Sequence, residues 1–227
     1  MAKIITFLGN ATFLKEVIKA NHLTDVYIDE SYVYVLDKIQ KNDKTPQNNG
    51  TFFFENPMEI ELPYKDKVTY HFIDTRIKPN SKQDVLLYPL QPDQYIIEML
   101  NRRVRIAKML ATILSQTDDD IMFIDSDVII DNIEGVIGKL KNTGKPTTVC
   151  IPAMAKPYFL IIDFCYSTNF YLPMTWKSQL ENALSTYMRN HLYVNNPVDI
   201  FIHNSMSSQT LQVKGVCHYV DGSKYCI

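Results

Sequence analysis

The stretch from Lys3 to Leu8 is a nearly continuous apolar run that stops at Gly9-Asn10. A short apolar run closed by a turn pair predicts a buried strand. From Ala11 to Ala20 the spacing changes, and Phe13, Leu14, Val17 and Ile18 fall on one helical face. Asp25 to Asp29 reads as a second short strand, with β-prone residues continuing to Leu36. Lys41 to Gly50 is polar, contains Pro46 and ends in Gln-Asn-Asn-Gly, which predicts a loop. Thr51 to Pro63 is ambiguous, Val68 to Ile73 predicts a strand ending at Asp74, and Val85 to Leu90 predicts a further short one.

The clearest helix follows Pro92, with Asp93 as its cap. Ile96, Leu100, Val104, Ala107, Leu110, Ala111 and Leu114 recur at helical spacing as far as Ser115. Thr117 to Asp120 is a turn, and Ile121 to Ile124 a strand buried on both faces. Ile133 to Leu140 predicts a short helix ending near Gly144, and Thr147 to Pro152 the next strand. Phe159 to Phe164 and Asn169 to Leu172 read as extended, with Pro173 closing the second. Trp176 to Leu192 is helical, Val198 to Asn204 short and mixed, and Leu211 to Tyr219 a final strand. Strands alternating with helices predict an α/β layered fold with a mainly parallel sheet. No internal repeat or linker divides the chain, so residues 1–227 are expected to form one domain.

Composition narrows the function. The chain has 227 residues, with 46% apolar and 21% charged positions, an ordinary globular balance. A formal net charge of −2 supplies no basic field for holding nucleic acid non-specifically. The glycines form no G-x-G-x-x-G run. The segment from Gly138 to Pro146 misses a phosphate-binding loop by one extra residue and by Pro in the hydroxyl position. Cys150, Cys165, Cys217 and Cys226 show no C-x-x-C spacing, so free thiols in a reducing compartment are expected rather than structural zinc. The first residues lack the longer apolar stretch of a signal peptide, and no run approaches the ~20 residues of a membrane span. A cytoplasmic protein without a membrane span is expected.

The segment that carries chemistry is Asp120-Ile-Met-Phe-Ile-Asp125-Ser-Asp127-Val. Four apolar residues drive a strand into the core and two carboxylates stand where it emerges. The carboxyl ends of strands line the ligand crevice of open parallel sheets. Residues two apart in an extended segment project to one side. Paired carboxylates there suit magnesium or manganese, which leave coordination positions for phosphate oxygens. An acidic turn that only ends a strand is the plain alternative.

Phe-Ile-Asp125-Ser-Asp127-Val resembles the metal-binding Asp-x-Asp of the GT-A glycosyltransferases, which follows a hydrophobic strand. The helix Asn101-Arg-Arg-Val-Arg-Ile-Ala-Lys precedes that strand at a similar distance, and Lys3 to Leu8 with Val-Tyr-Ile-Asp29 is similar to the uridine-binding opening. Ser167-Thr-Asn-Phe-Tyr is similar to the strand returning after the acceptor region. Pro197-Val-Asp199 resembles the acidic motif before the last helix, with the usual Glu-Asp pair reduced to one Asp, and Val216-Cys-His218 resembles the terminal metal-site strand. The likeness spans nearly the whole chain in order of elements, and only the metal motif is specific. It implies a Rossmann-like three-layer sandwich, of the size of small viral or microbial members. It further implies a metal site of Asp125, Asp127 and His218 holding manganese or magnesium. Donor contacts are implied for Phe7, Gly9, Asp29, Asp74, Arg102, Arg105, Asp125 and Ser126, and Asp199 is the implied base. The implied reaction moves a sugar from a UDP- or GDP-sugar to a glycan, protein or lipid acceptor.

Bland readings stand beside these roles. His218 can be structural, with His203 its rival as ligand. Asp199 can cap a helix, Asp74 can be a turn residue, and Trp176 can pack in the core rather than line an acceptor pocket. The same acidic motif also fits haloacid-dehalogenase-like phosphatases, although theirs sits near the chain start and is followed by paired aspartates absent here. A sugar nucleotidyltransferase would need a richer loop than Gly9-Asn-Ala-Thr, and a non-catalytic nucleotide- or sugar-binding protein is the remaining alternative.

Overall fold

The computed structural model describes residues 2–9, 11–30, 33–35, 53–55, 59–75, 94–150, 169–190, 198–206, 209–213, 215–220 and 223–226. For 33–35, 53–55, 94–104, 150, 190, 198–200, 209–210, 212, 218–220 and 223–226 the backbone alone is described. The strands are β1 (Lys3–Phe7), β2 (Asp25–Asp29), β3 (Val33–Val35), β4 (Phe53–Glu55), β5 (Thr69–Ile73) and β6 (Ile121–Phe123). They continue with β7 (Val128–Ile130), β8 (Thr147–Cys150), β9 (Phe170–Leu172), β10 (Gln209–Gln212), β11 (Val216–Val220) and β12 (Ser223–Cys226). The helices are α1 (Leu14–Asn21), α2 (Gln94–Gln116), α3 (Ile133–Thr143), α4 (Lys177–Asn190) and α5 (Val198–Met206).

Seven strands form the central sheet in the order β10-β8-β9-β6-β1-β2-β5. β1 pairs in parallel with both β2 and β6, and β2–β5 and β8–β10 are also parallel. β9 is antiparallel to its neighbours β6 and β8. The predicted α/β fold with a mainly parallel sheet is therefore the observed one. A smaller antiparallel sheet, β12-β11-β7, adjoins it, and β3 pairs with β4.

The layers follow from alternation along the strands. Ile4, Leu8, Val26, Ile28, Met122 and Ile124 face one core, packed with Leu14, Val17 and Ile18 of α1 and Val136, Ile137 and Leu140 of α3. Ile5, Tyr27, Ile121 and Phe123 face the other, packed with Ala107, Leu110 and Leu114 of α2, Leu184 of α4 and Ile202 of α5. Two helical layers thus enclose the sheet, which explains why β1 and β6 read as continuous apolar runs.

Several expectations change. α1 starts three residues later than Ala11, and His22 closes it in the left-handed conformation. Val198 to Asn204 lies within helix α5 rather than in a mixed segment. The single final strand at 211–219 is two strands, β10 and β11, separated at Gly215, whose φ is +75°. A Cβ there would stand 2.9 Å from the Asp131 side chain, so both backbone conformation and space favour glycine. The expected free thiols are also corrected, because Cys217 is disulfide-bonded. In the backbone, β11 and β12 pair antiparallel with Cys217 opposite Cys226 in register, a proximity that sequence spacing does not show. The predicted loop at 41–50, strand at 85–90 and extended segment at 159–164 lie outside the described residues. Among the described residues, no helix is long and apolar enough to cross a membrane.

Asn21 fastens the smaller sheet to α1. It is fully buried, donates from Nδ2 to the Val128 carbonyl at 2.7 Å and accepts from the Ile130 N–H at 2.8 Å. Asn21→Leu fills the space but strands both backbone groups. The expected loss is about 1–3 kcal/mol, read as a lower urea midpoint at unchanged slope. An unshifted midpoint would show that the bonds do not hold β7.

Candidate functional site

The chain leaves β1 toward β2 on one side, while β6 lies on the other, so β1 marks the topological switch point of the sheet. At its carboxyl end the Gly9 N–H donates to Ser126 Oγ at 3.2 Å, joining the loops after β1 and β6. A Cβ on Gly9 would lie 3.6 Å from that oxygen, an ordinary contact, so the space does not require glycine. Ser126 is buried, while Asp125 and Asp127 are half-buried.

The acidic pair does not sit on extended chain as alternation assumes. The Val128 N–H donates to the Asp125 carbonyl at 3.1 Å, closing a turn over residues 125–128. Asp at the first position of such a turn is favoured. Asn169, fully buried just before β9, accepts from the Asp125 N–H at 2.9 Å through Oδ1 and donates to Asp125 Oδ2 at 3.3 Å through Nδ2. The sequence reading placed Asn169 at the start of an extended segment and gave it no role in the site. Its place is set by β9 pairing antiparallel with β6, a contact between segments 44 positions apart.

Beyond β2, Arg105 Nη1 of α2 lies 3.1 Å from Asp29 Oδ2, and Thr75 Oγ1 donates to the same oxygen. Asp29 and Arg105, predicted as separate donor contacts, thus bind each other, and Thr75 joins them unforeseen. Asp74 is exposed beside Thr75. Phe7 packs edge-on against Phe123, with ring centroids 4.5 Å apart.

Three predicted residues are described by backbone alone. Arg102 lies on α2, one turn before Arg105. His218 pairs in register with Val128, the residue after Asp127, so the β11 backbone flanks the acidic turn. Asp199 is the second residue of α5, and one turn further on His203 Nδ1 lies 3.3 Å from Thr148 Oγ1 of β8.

Trp176 lies elsewhere. Its indole donates to the Gly144 carbonyl at 3.2 Å, at the end where β8 starts, and its ring packs against the α2–α4 core. It stands at the amino edge of the sheet, away from the acidic turn. Two carboxylates on one tight turn supply the hard oxygen donors that magnesium or manganese prefers. Among the described residues, no group of three or more His, Cys, Asp or Glu comes together.

Fold and site define an α/β protein with a carboxylate-bearing turn at the switch point of its sheet. The chain belongs to the family of uncharacterized protein ORF238 of Acidianus filamentous virus 2, being 43% identical to it over the full length of both. It is also 35% identical to uncharacterized protein 209 of Sulfolobus islandicus rod-shaped virus 1, over 52% of this chain and 57% of that protein. No family model matches the sequence. Among solved structures, S. aureus TarS 1-349 aligns with a TM-score of 0.43 and 10% identity, covering 94% of this chain and 58% of that one. A likeness at that level carries no argument.

Burial lowers the His203 pKa from its ordinary 6.5, because the charged imidazolium is poorly solvated there. Below that value the unfolded chain takes up the proton first, so the contribution of neutral His203 is complete above it and lost as pH falls through the folded pKa. Stability should therefore decline on acidification from pH 7 to 5, and His203→Gln should flatten part of that slope. Parallel pH profiles for the two proteins would count against the burial effect.

Proposed function

We propose that this protein is a metal-dependent glycosyltransferase that moves a sugar from a UDP- or GDP-sugar to a glycan, protein or lipid acceptor, with residues 1–227 acting as one domain. The observation that carries the reading is the Asp125-Ser126-Asp127 turn, held at the switch point by Asn169 and the Gly9 amide. Asp125 and Asp127, with His218 from β11, are the assigned ligands of manganese or magnesium. When bound, such an ion neutralises the charge developing on the nucleoside-diphosphate leaving group.

The protein's own groups do the rest. Ser126 and Gly9 form the floor beneath the diphosphate. Asp29, oriented by Arg105 and Thr75, accepts hydrogen bonds from the base or ribose. Phe7 and Asp74 border that end, and Arg102, on α2, is assigned to the phosphates. Guanidinium pairs bidentately with phosphate oxygens, the chemistry assigned to Arg102 and Arg105. Asp199 takes the proton of the acceptor hydroxyl as its oxygen bonds to the anomeric carbon and the bond to the diphosphate oxygen breaks. That assignment belongs to an inverting reaction. The proposed site of action is the cytoplasm, that of an infected host cell for a viral protein.

Calorimetry of uridine and guanosine diphosphate, with manganese and with chelator, tests the reading. One diphosphate should bind in the metal-dependent manner, and Asp127→Asn should abolish it with the melting temperature retained. Equal affinity in mutant and wild type would overturn the metal assignment.

Asp199→Asn separates chemistry from capping. A general base contributes about 10²–10⁴-fold in rate and little to donor affinity, so transfer should fall by that factor while binding persists. Asn is itself a good cap, so a capping role alone predicts near-normal turnover. Full activity would remove the base from Asp199.

A further inference from the structure

Asn169 has 0% exposure, and its carbonyl accepts the Val149 N–H of β8 at 2.8 Å. Its side chain reaches two atoms of one residue, the backbone N–H of Asp125 at 2.9 Å and the carboxylate Oδ2 at 3.3 Å. The amide orientation is determined by its surroundings. A backbone N–H can only donate, so the amide oxygen must face it, and the amide NH2 is then directed at the carboxylate. Securing the turn needs only the acceptor. The second bond goes to the carboxylate and is separate from the backbone pairing.

We infer that Asn169 is the positioning residue of the acidic turn, fixing the torsion of the Asp125 carboxylate for the cation and nucleoside diphosphate that the turn would hold. Asn169 need not touch the ligand. A rigid β9 beside β6 lends its buried amide to a side chain at the edge, as outer residues orient metal ligands generally. The inference rests on the transferase reading, and its test keeps the two apart.

The informative variant is Asn169→Asp, which keeps the shape and the acceptor for the Asp125 N–H and sets a second carboxyl group against Oδ2 in place of the amide donor. Manganese uptake by the full chain with uridine diphosphate should weaken by about 10–100-fold. Amide exchange at Asp125 should stay protected. Asn169→Ala removes both bonds, so Asp125 exchange should quicken by about tenfold as well. If Asn169→Asp takes up manganese as tightly as wild type or more tightly, the positioning role is overturned. Unchanged Asp125 exchange in Asn169→Ala overturns the contact itself, whatever happens with metal. Failure of the wild-type chain to take up manganese overturns the transferase reading, and the exchange comparison then judges the Asn169 contact separately.

Discussion

The arrangement depends first on β1 being buried on both faces and paired on both edges. Its side chains alternate strictly, Ile4 to one helical layer and Ile5 to the other, and the same alternation runs through Val26 and Tyr27 of β2 and Met122 and Phe123 of β6. A slip of one residue would exchange the two faces of a strand and leave neither core filled. The register Ile5 to Phe123 is thereby fixed, and with it the heights at which Gly9 and Asp125 leave the sheet. A site assembled from loops gains its precision from strands that cannot shift.

The acidic turn then inherits rigidity from three directions. Gly9 holds Ser126 from β1, Asn169 holds Asp125 from β9, and Asn21 holds Val128 and Ile130 from α1. Each of these partners is distant in sequence. Both asparagines are fully buried, where an unmet amide would cost more than a bond returns. Buried asparagines whose bonds converge on one short segment point to a backbone that must hold a single shape.

Much of this was legible because local pattern and burial agree. Asp25 to Asp29 and the apolar stretches of β1 and β6 have no polar interruption that would suit a surface, so the strands and their parallel pairing followed. The acidic pair was legible because it ends such a strand. What escaped was set by tertiary pairing. Leu211 to Tyr219 has uniform β propensity, and only Gly215 beside Asp131 divides it between two sheets. Cys217 and Cys226 become neighbours only through a hairpin. Asn169 and Thr75 look like ordinary polar residues at strand ends until the sheet order sets them against Asp125 and Asp29.

Charge gives the site its last constraint. Of the predicted donor-binding and metal residues whose side chains are described, Asp29, Asp74, Asp125 and Asp127 are acidic and Arg105 alone is basic. The Arg105 guanidinium already faces Asp29, with both groups largely buried, so its charge is in large part offset where it stands. A diphosphate approaching that edge would meet mostly its own sign, and like charges brought together disfavour each other's ionised forms. Among the described side chains at this turn, four carboxylates stand against one guanidinium already paired with Asp29, and the proposed cation rests on that balance of charge.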